Sequence, residues 1–120
     1  MTKEQIKSSL ELIQAAIEKP ATIDSPTCIL EKMEDCVNLL GLSSEVFAWS
    51  ERLYNEKLGA LILAKEFKTL SATDKKMLFA SMASEEILLH TKAERLNKGL
   101  VHCIDAMRSM LSFKIGRAHV

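Results

Sequence analysis

The longest stretch without a helix-breaking residue places the strongest constraint on the fold of this chain. From Ala72 to Phe113 there is no proline, and Gly99 is the only glycine. All 120 residues together contain four glycines and two prolines. So few turn residues argue against a many-stranded sandwich or barrel. We therefore expect an all-α protein, and a chain of this length predicts a single domain.

Apolar residues at steps of three and four predict three shorter helices before the long segment. These helices cover residues 3–19, 26–40 and about 43–68. Thr2, Ser25 and Ser71 are the expected N-caps of the first, second and long helices. Pro20 ends the first helix, and Gly41 is expected to end the second. The predicted architecture is three shorter helices and one long C-terminal helix, as a helical bundle or a coiled-coil-like oligomer.

The long segment is difficult to fit into a compact domain. As one helix it would be roughly 65 Å long, whereas a compact chain of this size has a diameter of about 35–40 Å. Either the helix breaks near residues 81–84 or at Gly99, or it projects and contacts another subunit.

The apolar residues of this segment alternate in steps of three and four, like the a and d positions of a coiled coil, and Glu86 interrupts them. We expect a homo-oligomer that pairs through this self-association seam. The alternative is a bundle helix packed on the first three, which shows a similar pattern over short spans. The seam residues are Phe79, Met82, Leu89, Ala93, Leu96, Leu100, Cys103, Met107 and Met110.

Charge is balanced overall but divided unevenly. Lys plus Arg and Asp plus Glu each number 16, which does not suggest a generic nucleic-acid binder. Residues 1–60 hold 6 basic and 10 acidic residues, and residues 61–120 hold 10 and 6. This asymmetry suggests head-to-tail contact or a polarised binding surface, or it is chance surface variation.

A basic stripe lies opposite the seam on the long helix, within about 120° of arc. Such a stripe could follow a phosphate backbone, although a charged outer face also serves solubility. The basic stripe consists of Lys92, Arg95, Lys98 and His102.

Few residues suggest a redox, metal-binding or catalytic site. The three cysteines, Cys28, Cys36 and Cys103, form no C-x-x-C pair and are expected to be reduced thiols. Glu86, His90 and Glu94 are four residues apart and could present ligands to a metal, but a solvated helix face explains the same residues and is the interpretation we favour. We predict no catalytic residue, no metal and no cofactor, and therefore no enzyme.

The two ends of the chain bear on its location and on its natural length. The N-terminus has no signal-peptide run, and no apolar stretch reaches membrane-spanning length. We therefore expect a cytoplasmic protein with no membrane partner. The last six residues match the translation of a common sequencing adapter, ATC GGA AGA GCA CAC GTC. We predict a natural domain over residues 1–113 and an artefactual tail over 114–120, so Arg117 and His119 are not candidate site residues.

Four runs in the C-terminal half resemble small helical proteins of tailed phages and prophages. The runs are YNEK (54–57), KTLSAT (68–73), AERLNK (93–98) and DAMRSMLS (105–112). Such proteins are encoded among DNA recombination and replication genes, and the architecture is loosely similar to the recombination mediator of T-even phages. The resemblance spans about residues 50–113. It implies Arg95, Lys98 and Arg108 as nucleic-acid contacts in a bacterial host cell.

Three functions are consistent with these sequence features. The first is a phage-encoded, non-enzymatic accessory protein that self-associates and weakly binds single-stranded DNA or a recombinase. The second is a counter-defence inhibitor, similar to anti-CRISPR proteins, that binds a host nuclease complex through the acidic first half. The third is a helical protein–protein adaptor. The acidic residues of the second hypothesis are Glu31, Glu34, Asp35, Glu45 and Glu51.

Overall fold

A computed structural model describes residues 1–22 and 24–118, with side chains described as far as Phe113. The helices are α1 (Lys3–Glu18), α2 (Pro26–Asn38), α3 (Leu40–Leu63), α4 (Lys65–Lys68), α5 (Ala72–Met82) and α6 (Ser84–Ala118). No strand occurs in this part of the chain, and the predicted all-α class is confirmed. The adapter origin of residues 114–120 stays a prediction. Residues 119–120 lie outside the described part, as do the side chains of 114–118.

Three helices begin at polar caps that the sequence indicates. Thr2 forms a capping box with Gln5, in which each side chain accepts a hydrogen bond from the backbone N–H of the other. Ser25 caps α2, with Pro26 at the first helical position, and Ser71 caps α5. Each cap satisfies a backbone N–H that would otherwise lack a partner at a helix start.

The predicted stop of the second helix at Gly41 is wrong. Helix α2 ends at Asn38, and α3 begins at Leu40 with Gly41 in its first turn. Leu39 between them keeps a right-handed backbone (φ −94°, ψ −5°), and the Ser43 N–H donates to its carbonyl at 2.8 Å. Hydrogen bonding thus continues across the junction, and no left-handed glycine is needed there.

Two predicted helices are each divided by one residue. Ala64 has an extended backbone (φ −68°, ψ 135°) and separates α3 from α4, which carries the buried ring of Phe67. Ala83 is fully buried and separates α5 from α6. The long segment therefore breaks near residues 81–84, one of the predicted alternatives, and it continues as a helix through Gly99.

Helix α1 runs parallel to α6. The ammonium of Lys3 lies 2.8 Å from the Glu86 carboxylate at the start of both helices. Further along, a Cβ added to Gly99 would lie 3.5 Å from Cδ1 of Ile17. These contacts fix both the direction and the register of the two helices.

Helices α2 and α3 lie end to end and antiparallel to α6. The Asn97 amide donates to the Ser43 hydroxyl at 3.0 Å, and Tyr54, later in α3, stacks on His90, earlier in α6. Cys36 of α2 contacts Cys103, later in α6. A cross-section therefore contains α1, α6 and either α2 or α3.

The core consists of two clusters that follow each other along the bundle. The first cluster has the buried residues Ile6, Leu10, Val46, Leu89 and Ala93. The second has Ile13, Cys36, Leu100 and Ile104. Helices α1 and α6 supply residues to both clusters, whereas α3 contributes its buried residue to the first and α2 to the second.

The molecule is elongated. Its principal extents are 71 × 26 × 18 Å and its radius of gyration is 19.8 Å, compared with roughly 14 Å for a compact domain of this size. Helix α6 alone has 35 residues and a length of about 52 Å. The break at Ala83 therefore shortens the long helix without making the molecule compact.

Candidate nucleic-acid interface

The predicted basic stripe lies on the solvent-facing side of α6. Lys92, Arg95, Lys98 and His102 are all exposed, and the core-facing Leu89, Ala93 and Leu100 are buried. The separation of the two sets follows from the 100° rotation per residue of the helix. Sequence periodicity alone therefore placed these four side chains correctly relative to the core.

The cations of the stripe differ in how they are neutralised. Lys98 forms an ion pair with Glu94 at 3.1 Å, one turn earlier on α6. Lys92 and Arg95 form no ion pair with any described residue. Lys92 and Arg95 therefore carry exposed positive charge that no described side chain neutralises.

Arg108 lies beyond one edge of the basic stripe. It follows Lys98 by ten residues, which places it about 80° from Lys98 around the helix. Its Nη1 atom lies 3.6 Å from Oδ1 of Asp105. The three cations that the resemblance implies therefore span about 140° of the circumference of α6.

A groove between α1 and α6 borders the stripe, and no sequence pattern predicts it. It encloses about 180 Å³ and is lined by Lys7, Leu10, Glu11, Leu88, Leu89 and Lys92. The Lys7 ammonium lies 2.9 Å from the Glu85 carboxylate, so its charge is largely neutralised. The Leu88 side chain is 60% exposed and adds an apolar contact surface beside Lys92.

Most of the predicted self-association seam packs within one chain. Leu89, Ala93, Leu100 and Met107 are buried, and Leu96 packs against both core clusters. The bundle alternative therefore describes these positions. The remaining members are Phe79, packed edge-on against Tyr54, the half-buried Cys103 and Met110, and the exposed Met82.

The solvated-face interpretation of Glu86 and His90 is wrong. Glu86 is only 6% exposed and pairs with Lys3. The His90 ring is stacked between Phe47 and Tyr54, with centroid distances of 5.4 Å to each, and its buried Nε2 has no hydrogen-bond partner.

No metal site emerges around His90. The third member of the predicted set, Glu94, pairs with Lys98 at the surface. Glu86 likewise forms an ion pair, with Lys3. Among the residues with described placement, no group of three His, Cys, Asp or Glu side chains could hold a metal ion.

The acidic residues of the first half are exposed on α2 and α3. Asp35 pairs with Lys19 at 3.2 Å. Glu31, Glu34, Glu45 and Glu51 are exposed and make no ion pair with the described part of the chain. These exposed carboxylates are opposite in sign to the basic stripe.

Comparison with known proteins does not add a relative. No protein-family model matches the chain, and no curated protein or solved structure shows significant similarity to it. The fold itself defines the class, an elongated all-helical bundle. Within the described ranges, no helix is both long and apolar enough to cross a membrane.

Proposed function

We propose that this chain is a non-enzymatic accessory protein of phage DNA recombination or replication, acting in the bacterial cytoplasm. It binds single-stranded DNA weakly through the basic stripe of α6. The observation that carries the proposal is the exposure of Lys92 and Arg95 on one face without an ion-pair partner. The resemblance of the C-terminal half to phage proteins supports the choice of ligand.

The composition of the stripe implies a weak, salt-sensitive site. Three cations contacting phosphates would give a slope of about −2 in a plot of log affinity against log salt concentration for single-stranded DNA. Glu94, paired with Lys98, and Glu11, in the groove beside Lys92, reduce the local positive potential. Self-association or binding to a recombinase would present several stripes to one strand and raise the avidity.

The direct test is fluorescence anisotropy of a labelled oligo-dT across a salt series. We expect the Arg95→Glu/Lys98→Glu variant to lose most of its binding at low salt. A matched control is Arg52→Glu/Lys19→Glu, which makes the same change in net charge at exposed residues on α3 and beyond α1. The proposal fails if the wild-type chain does not bind at low salt, or if both variants bind equally.

A second candidate function is supported by the unpaired carboxylates of α2 and α3. Four exposed acidic side chains without ion pairs are suited to occupy a nucleic-acid channel of a host nuclease complex, as a counter-defence inhibitor would. Affinity capture from host lysate separates the two candidates. Stoichiometric recovery of a nuclease that is lost with Glu31→Lys/Glu34→Lys favours the inhibitor. Recovery of a recombinase or a single-strand binding protein favours the accessory role.

A further inference from the structure

Two thiols from distant parts of the chain meet in the second core cluster. The Sγ atoms of Cys36 on α2 and Cys103 on α6 are 3.8 Å apart, across a sequence separation of 67 residues. Cys36 is fully buried and Cys103 is half-buried. The third thiol, Cys28, is exposed near the start of α2 and takes no part in this contact.

The arrangement is close to that of a disulfide. An S–S bond is about 2.05 Å long, so the sulfur atoms need to approach by roughly 1.8 Å. Helices α2 and α6 already pack against each other in the same cluster, which holds the two side chains in contact.

We propose that Cys36 and Cys103 form an oxidative modification site, at which a peroxide converts the thiol pair into an intramolecular disulfide between α2 and α6. The accessible partner, Cys103, reacts first. Its sulfur attacks one peroxide oxygen, an S–O bond forms as the O–O bond breaks, and one water leaves. The sulfur of Cys36 then attacks the Cys103 sulfur. The S–S bond forms, the S–O bond breaks, and a second water leaves with the Cys36 proton.

The balance is two thiols and one hydrogen peroxide giving one disulfide and two waters. The protein loses two hydrogen atoms and two electrons, and the peroxide is reduced. The second step is slow at neutral pH, because burial raises the pKa of the Cys36 thiol and the thiolate is the nucleophile. The disulfide therefore forms faster as the pH rises.

The bond would tie the chain into a closed loop and restrict the unfolded state. A loop of this length predicts a rise in Tm of roughly 15 °C. The same covalent link would keep α2 on α6 even when the second core cluster loosens.

The test treats the folded, full-length chain with hydrogen peroxide in the absence of denaturant. We expect the intact mass to fall by about 2 Da, the mass of two hydrogens lost on disulfide formation, and the Tm to rise. Peptide mapping should find a Cys36–Cys103 link. Cys28→Ser is the matched control and should behave like the wild-type chain, whereas Cys36→Ser and Cys103→Ser should lose both effects. If Cys36→Ser does not fold, the half-buried position in Cys103→Ser provides the same comparison.

Three results would overturn the proposal. The first is an intact mass that does not fall under these native conditions. The second is a link that includes Cys28, within one chain or between two. The third is a disulfide that forms only after the chain has been unfolded with denaturant.

Discussion

The Nζ atom of Lys3 lies 2.8 Å from Oε1 of Glu86 and joins the first turn of α1 to the first turn of α6. Glu86 is 6% exposed, so the pair neutralises a buried carboxylate. Glu85 adds a second connection, 3.4 Å from Lys3 and 2.9 Å from Lys7. This group of charges sets the parallel register of the two helices that pass through both core clusters.

Removing the cation should destabilise the fold through the carboxylate that remains. Lys3→Met leaves Glu86 buried without its main partner, and we expect a loss of about 1–2 kcal/mol in the free energy of unfolding. Urea denaturation at pH 7 measures it. Lys68→Met is the control, because Lys68 is exposed and makes no ion pair with a described residue. Equal stability of the two variants would show that the Lys3 contact contributes nothing.

The same charges predict how stability depends on pH. Burial raises the pKa of Glu86, but the hydrogen bonds from Lys3 and from its own backbone N–H outweigh burial and lower it below 4.5. Hydrogen bonds from Lys7 and Lys3 lower the pKa of Glu85. A carboxylate whose pKa is lowered by folding stabilises the fold at every pH above its pKa in the unfolded chain. This contribution is therefore lost as the pH falls below about 4.5.

At alkaline pH the dependence has the opposite sign, and the stability of the fold decreases as the pH rises. The hydrogen bond to Glu86 raises the pKa of Lys3 above 10.5, and the bond to Glu85 does the same for Lys7. Their contribution is complete below 10.5 and is lost as the pH rises through the raised values. Urea unfolding from pH 3 to 11 should therefore show a plateau with two falling limbs. Glu86→Gln should flatten the acid limb, and the exposed Glu34→Gln should leave it unchanged.

Leu100 tests whether the seam of α6 belongs to one chain or to two. It is fully buried in the second core cluster, so Leu100→Ala should cost about 3 kcal/mol by opening a cavity. Because the contact lies within the chain, the loss in Tm should not depend on protein concentration. The exposed Leu88→Ala should change stability little. A deficit that disappears at high protein concentration would instead identify Leu100 as an intermolecular contact.

The buried Nε2 of His90 has no hydrogen-bond partner. We therefore expect two substitutions of this residue to differ in their effect on stability. His90→Phe keeps a ring between Phe47 and Tyr54 and removes the buried Nε2, which has no hydrogen-bond partner. We expect its stability to equal or exceed that of the wild type by up to about 1 kcal/mol. His90→Ala loses both stacking contacts and should cost about 2–3 kcal/mol. If His90→Phe is as damaging as His90→Ala, the imidazole itself is required.

Local chemistry accounts for what the sequence predicted correctly. The caps at Thr2, Ser25 and Ser71 are decided by neighbours three residues away, and helical rotation puts Lys92 and Arg95 opposite the core. Interruptions at single alanines were harder to predict. Ala64 and Ala83 are strong helix formers, and they leave the helix only in the setting of the folded bundle, where Ala83 is fully buried.

Contacts between distant segments could not be predicted from the sequence either, because they form only when the helices pack together. Glu86 reads as a polar interruption of a seam until α1 brings Lys3 against it. Cys36 and Cys103 read as separate small hydrophobes until α2 packs on α6. The groove between Lys7 and Lys92 likewise exists only because α1 docks in parallel.

The end-to-end placement of α2 and α3 has a consequence for how the bundle opens. Each of these helices contributes its buried core residue to one cluster, whereas α1 and α6 run through both. Detaching α2 would expose the second cluster and leave the first covered by α3. The molecule is thus built as two short three-helix sections in series on a shared pair of helices, and the contact of α3 with the first cluster does not depend on the contact of α2 with the second.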